Sequence, residues 1–137
     1  MKKGTLLKVA ELQREIIDPR LSICIYEVSK NQLFEGCDST EFINFMNLDK
    51  NARQLKVKNK QKLKVSYMAE EVKNSLPYPN DSHWYQMFLR QCDIPIDYFS
   101  KHNKKFTGDS ISPNNKKFKE TIAAALVRWK KWRNDAL

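Results

Sequence analysis

Five lysines alternate with other residues in the middle of the chain, a spacing that could gather several ammonium groups on one surface. In the segment QLKVKNKQKLKVSY, residues 54–67, these lysines are Lys56, Lys58, Lys60, Lys62 and Lys64. Apolar residues stand between or beside them at Leu55, Val57, Leu63, Val65 and Tyr67. Because a lysine ammonium is a point charge suited to phosphate oxygens, the pattern indicates binding to a polyanion.

The alternation has the period of a β-strand, whose side chains point to opposite faces in turn. A three-residue loop at residues 59–61 would make a hairpin with apolar side chains on one face and lysines on the other. A two-residue loop would mix the two faces. The segment therefore predicts a basic β-hairpin, and the alternative is a lysine-decorated sheet edge that discourages aggregation.

The formal net charge of +9 is concentrated after Lys50. Residues 1–50 carry a net charge of −1, residues 51–75 carry +5 and residues 76–137 carry +5. Charge sorted in this way is typical of a nucleic-acid-binding surface. A second basic group, Lys101, Lys104 and Lys105, extends it into the C-terminal half.

The fold is expected to be α+β. Residues 1–75 should form a small antiparallel sheet with one or two helices, including a helix over 5–17, strands over 20–28 and 32–36, and a helix over 39–47 that begins at a capping box. Residues 76–137 should be helical. Helices are predicted over 81–92 and 95–103, and a long one runs from Ser112-Pro113 to about residue 134. The alternative is that the two parts form one compact domain, since 137 residues fit a single domain.

Composition narrows the class of protein. Three glycines, Gly4, Gly36 and Gly108, are too scattered for a phosphate-binding glycine loop, so we expect no cofactor. Three cysteines without C-x-x-C spacing predict reduced thiols and no zinc site. The N-terminus lacks the apolar run of a signal peptide and the longest apolar stretch is Ile122–Val127, so a cytoplasmic protein without a membrane partner is expected.

The order helix, short turn, helix, basic loop and long helix resembles a helix-turn-helix arrangement in outline. The string YFSKHNKKFTGDS, residues 98–110, also resembles the second-helix region of arabinose-regulator-type transcription factors. It departs from that pattern at Asn103, where the family has a phenylalanine, and at Ile111-Ser112. The match covers 13 residues, and the paired second motif of the family is absent, so we do not assign the family.

Catalytic signals are weak. Neither His83 nor His102 stands at a recognisable spacing from an acid or nucleophile, and Asp93 and Asp97 are predicted as capping and loop residues. Trp129 and Trp132 lie among basic residues, where core packing is favoured over stacking on unpaired bases.

We therefore expect a non-enzymatic accessory protein that binds nucleic acid through phosphate contacts, with DNA favoured over RNA. The alternative is an interaction or inhibitor module that binds an acidic protein surface. A small metal-dependent nuclease is a third interpretation, because its carboxylates can come from distant segments. The predicted contact residues are Lys56, Lys58, Lys60, Lys62, Lys64, Lys101, Lys104 and Lys105.

Overall fold

The computed structural model describes residues 16–135, except for the side chain of Ser110. Six α-helices follow one another in this range. They are α1 (Pro19–Ser29), α2 (Ser39–Met46), α3 (Lys62–Lys73), α4 (Asn80–Gln91), α5 (Tyr98–His102) and α6 (Pro113–Asp135). Two short 3-10 helices, Asn103–Phe106 and Gly108–Ser110, connect α5 to α6. The predicted helix over 5–17 falls almost entirely outside the described residues.

The α+β prediction is wrong, because residues 16–135 contain no strand or sheet. The structure has a single isolated antiparallel bridge there, between Phe34 and Val57. In it the Glu35 N–H donates to the Lys56 carbonyl and the Lys58 N–H donates to the Leu33 carbonyl, each at 2.8 Å. The described part of the chain is all-α.

The predicted strand over 20–28 is instead helix α1. Its Asp18 cap accepts a hydrogen bond from the Arg20 N–H, and Pro19 occupies the first turn. Leu21, Cys24 and Ile25 share one helical face and are completely buried. The β-branched residues disfavour a helix slightly through their intrinsic propensity. Burial of the apolar face formed by residues three and four apart stabilises the helix by more than this cost.

The predicted β-hairpin at 54–67 is also wrong. The chain turns at residues 58–61, where the Gln61 N–H donates to the Lys58 carbonyl at 3.0 Å and Lys60 has a φ of 67°. It then enters α3 instead of returning as a second strand. Val65, Met68, Ala69 and Val72 form the fully buried face of that helix.

The structure confirms several helices of the sequence prediction. Helix α2 begins at Asp38 with a complete capping box to Glu41, and α4 covers most of the predicted 81–92. Ser112 caps α6 through its Oγ, which accepts from the Asn115 N–H at 3.1 Å. The predicted helix over 95–103 is shorter, because α5 has only five residues before the backbone tightens into a 3-10 helix.

The buried apolar side chains form one cluster that draws on helices from both sides of residue 76. Trp84 of α4 is completely buried, and its Nε1–H donates to the Met46 carbonyl at 2.6 Å. Helix α6 packs against α1, where Trp129 is buried and Trp132 is 38% exposed. None of the helices within 16–135 is long and apolar enough to cross a bilayer.

Asp18 links α1 to α6, since its carboxylate accepts from the Trp129 Nε1–H at 3.0 Å and pairs with Arg20 at 3.0 Å. Burial raises the pKa of Asp18, but the hydrogen bonds from Arg20 and Trp129 outweigh it. The pKa therefore lies below its ordinary value of 3.8.

The substitution Asp18→Asn should destabilise the protein by about 1 kcal/mol near pH 7, because it removes a charged acceptor. The wild-type advantage is complete above pH 3.8, the ordinary pKa of an unfolded Asp, and is lost as pH falls through the lower folded value. Urea unfolding of both proteins across this pH range measures the difference. Asp93→Asn, at an exposed position with a φ of 58°, is the control and should be near neutral. A pH-independent difference would contradict the assigned role of the carboxylate.

Candidate functional site

A groove of about 770 Å³ lies between four elements of the fold. Its walls come from the turn at 58–61 with the start of α3, from α5, from the first 3-10 helix and from the start of α6. The lining side chains include six lysines, Lys60, Lys62, Lys64, Lys101, Lys104 and Lys105. We call this site the lysine groove. It brings together six of the eight lysines named from the sequence.

The turn at 58–61 positions the lysines of the first wall. Lys60 adopts the left-handed backbone conformation, which costs roughly 1 kcal/mol for a residue with a side chain. The Val65 N–H then donates to the Gln61 carbonyl at 3.0 Å and starts α3. Lys62 and Lys64 therefore project from the first turn of a helix rather than from one face of a ribbon.

Each of these two lysines reaches toward a different neighbouring element. The Lys62 Nζ lies 5.6 Å from the centre of the Tyr98 ring on α5. The Lys64 Nζ donates to Asn114 Oδ1 at 3.1 Å and lies 5.4 Å from the centre of the Phe118 ring, both on α6. The two ammonium groups thus border the groove at separate places.

The opposite wall is held by contacts within α5 and with Asp97, the residue that precedes it. His102 stacks on Tyr98 with ring centres 4.2 Å apart, and its Nδ1 lies 2.8 Å from the Tyr98 carbonyl. Lys101 forms an ion pair with Asp97 at 2.9 Å. The hydrogen bond from Lys101 holds the pKa of Asp97 below its ordinary value.

An aromatic cluster beneath the groove joins the four elements. The Tyr67 ring of α3 stacks on Phe106 of the 3-10 helix, with ring centres 4.8 Å apart and planes 7° apart. Phe118 of α6 meets both rings edge-on, at 6.1 Å from Tyr67 and 6.3 Å from Phe106. Phe99 of α5 completes the cluster at 5.9 Å from Tyr67. This packing sets the distances between the walls.

Burial of the Tyr67 phenol, together with the nearby charge of Glu71, raises its pKa to about 12. Tyr67 is therefore a neutral apolar partner throughout the physiological range. Two polar contacts reinforce the cluster. Lys119 Nζ donates to the Phe106 carbonyl at 2.9 Å, and Asn115 Nδ2 donates to the Lys105 carbonyl at 3.0 Å.

The remaining two predicted lysines lie outside the groove. Lys56 and Lys58 line an adjoining depression of about 540 Å³, which shares Lys60 and Lys62 with the lysine groove. Lys56 lies 3.6 Å from Glu35, and Lys58 Nζ donates to the Asn31 carbonyl. The five alternating lysines therefore do not occupy one face, although all five lie along two adjoining depressions.

The lysine groove has a strong positive charge. No Asp or Glu occurs among the described residues that line it. Within residues 16–135, the groove lysine that forms an ion pair is Lys101. The other five, Lys60, Lys62, Lys64, Lys104 and Lys105, have no carboxylate within 4.0 Å in that range. Within the described residues, no carboxylate therefore competes with an anion from solvent for these five charges.

The predicted contact residues did not include the polar residues that complete the lining, namely Gln61, Tyr98, His102, Ser112, Asn114 and Asn115. Ser112-Pro113 was recognisable as the start of a helix. Nothing in the local sequence, however, indicates that this helix start faces residues 60–64, because that contact depends on long-range packing.

Catalytic geometry is not evident in the described part of the chain. No three His, Cys, Asp or Glu side chains there come close enough to hold a metal ion. Asp97 pairs with Lys101, while Asp93 and His83 are exposed.

Comparison with known proteins gives no relative, since no family model, curated protein or solved structure matches this chain. The described residues therefore define only an all-α fold with a lysine-lined groove. Functional inference here depends on the chain's own residues.

The aromatic cluster gives a stability prediction. Phe106→Ala should destabilise the protein by about 3–5 kcal/mol, because Phe106 is completely buried and its removal leaves a cavity. Phe106→Leu should cost less than half as much, since it keeps most of the apolar volume. Denaturant unfolding measures both changes.

Ile96→Ala is the control, because Ile96 is 54% exposed and its truncation should change stability little. A cost below about 1 kcal/mol for Phe106→Ala would show that the cluster does not hold the groove wall.

Proposed function

We propose that this protein binds double-stranded DNA through contacts between the lysine groove and the phosphate backbone. The observation that carries the proposal is the convergence of six lysines from two separate segments, residues 60–64 and 101–105, on one concave surface. The described lining of that surface contains no carboxylate. Such a surface attracts phosphates and releases their condensed counterions, a contribution that does not depend on base sequence.

The side chains in the groove favour backbone contacts over base stacking. Proteins that bind single strands usually offer open aromatic rings to the bases. The aromatic rings in the described lining are those of Tyr98 and His102, and they already stack on each other. Lys62 also lies near the Tyr98 ring. No sequence motif of the common RNA-binding modules is present, which supports DNA over RNA.

The salt dependence of affinity tests the phosphate contacts. If the groove neutralises about five phosphates, the logarithm of the association constant should fall with the logarithm of salt concentration with a slope of about −4 to −5. Fluorescence anisotropy with a random-sequence DNA duplex at several salt concentrations measures this slope. Duplex RNA and single-stranded DNA of equal length serve as comparison ligands. An acidic polypeptide tests the alternative partner.

The second test changes the groove charge. Lys104→Glu with Lys105→Glu should weaken DNA binding at least about tenfold and make the salt slope shallower, because two phosphate contacts become repulsive. The matched control is Lys130→Glu with Lys131→Glu on the last turns of α6. Both pairs are exposed, and both variants lower the formal net charge from +9 to +5.

Only the groove variant should lose affinity if the groove is the binding site. Equal losses in both variants would show that net charge acts without a localised site. Absence of DNA binding at low salt, together with tight binding of the acidic polypeptide, would favour the alternative partner.

A further inference from the structure

His102 is the one histidine among the described residues that line the lysine groove, and histidine is the residue type whose charge ordinarily changes between pH 5 and pH 8. The side chain is exposed and lines the groove beside Lys101, Lys104 and Lys105. It takes no part in the aromatic cluster beneath the groove. The described lining therefore places one imidazole beside three lysines of the same segment.

The hydrogen bond to Tyr98 determines which ring nitrogen remains open. A carbonyl oxygen only accepts, so His102 Nδ1 must carry a proton to donate across the 2.8 Å separation from the Tyr98 carbonyl. The stack on the Tyr98 ring holds the imidazole in this orientation. Nε2 is then the nitrogen that gains a proton when the ring becomes cationic, and it becomes a second donor.

The charged groups around the imidazole are nearly all positive. Lys101 of α5 pairs with Asp97, the residue that precedes this helix, so that carboxylate is already engaged. Lys62 approaches from α3, and Lys104 and Lys105 approach from the 3-10 helix. Lys60 and Lys64 also line the groove, whereas α6 contributes the uncharged Ser112, Asn114 and Asn115.

We propose that His102 is a proton-dependent phosphate ligand of the lysine groove, so that DNA affinity rises as pH falls. This inference depends on the proposed function. Bound phosphates bring negative charge beside the imidazole and favour its cationic form over its neutral form. By linkage, a complex that takes up a proton is stabilised at lower pH. His102 thereby adds a further charge to the six lysines when the groove is occupied.

The test uses the two histidines of the chain, His83 and His102. The dissociation constant for a random DNA duplex is measured at fixed ionic strength from pH 5.5 to 7.5. The wild type should bind about fivefold more tightly at pH 5.5, the gain expected for one exposed charge pair. His102→Asn should show no such gain, because asparagine cannot become charged.

Two further variants sharpen the test. His83→Asn removes the exposed histidine of α4 and should keep the wild-type pH dependence. His102→Lys places a permanent charge in the groove, so it should bind tightly and with little pH dependence. Calorimetry in two buffers of different ionisation enthalpy should show proton uptake on DNA binding by the wild type and His83→Asn, but not by His102→Asn. Circular dichroism confirms that each variant is folded.

The outcomes separate this inference from the proposed function. Equal affinity at both pH values in the wild type, or an unchanged pH dependence in His102→Asn, would overturn the role of His102 while leaving DNA binding intact. Absence of DNA binding by the wild type at every pH would overturn the proposed function and this inference together.

Discussion

The stacked contact between Tyr67 and Phe106 is the interaction on which the groove depends, because it joins α3 to the basic 3-10 helix. Lysines on these two elements repel one another, and the repulsion would separate them unless packing opposed it. Burying each aromatic side chain contributes roughly 1.5–3 kcal/mol. Repulsion between two solvated charges about 8 Å apart contributes only ~0.5 kcal/mol in water. The apolar contact therefore prevails, and the lysines are held together.

The same balance explains why the groove suits an anion. Its ammonium groups are mostly exposed, so each is solvated and the folded protein tolerates their repulsion. The concave walls concentrate the field of these charges on the space between them. A phosphate entering that space would interact favourably with several lysines at once and reduce their mutual repulsion. The buried aromatic cluster thus positions the groove, and the solvated lysines determine its chemistry.

The sequence predicts the C-terminal helices better than the N-terminal half, for physical reasons that particular residues show. Ser112-Pro113 is an unambiguous helix start, and the capping box of Asp38 and Glu41 is equally clear. Asp18-Pro19 is also a helix start, yet the same pair is compatible with the end of a preceding helix, and the β-branched residues after it favour a strand. The three- and four-residue spacing of Leu21, Cys24 and Ile25 favours a helix over a strand only when it is known that all three side chains pack on the same neighbour.

For the alternating lysines, the predicted secondary structure was wrong, but most of these lysines still lie on one basic surface. In a hairpin, side chains alternate strictly between two faces. Because the chain turns and enters a helix at Lys62, this alternation is lost. The electrostatic effect of clustered lysines does not require this alternation, because each charge acts over a Debye length of about 8–10 Å in physiological salt. Six lysines can therefore reach one groove through an unexpected fold. Asn114 joins the lining through a contact with Lys64, fifty residues away in the sequence, so its place in the groove can be recognised only once those segments are packed together.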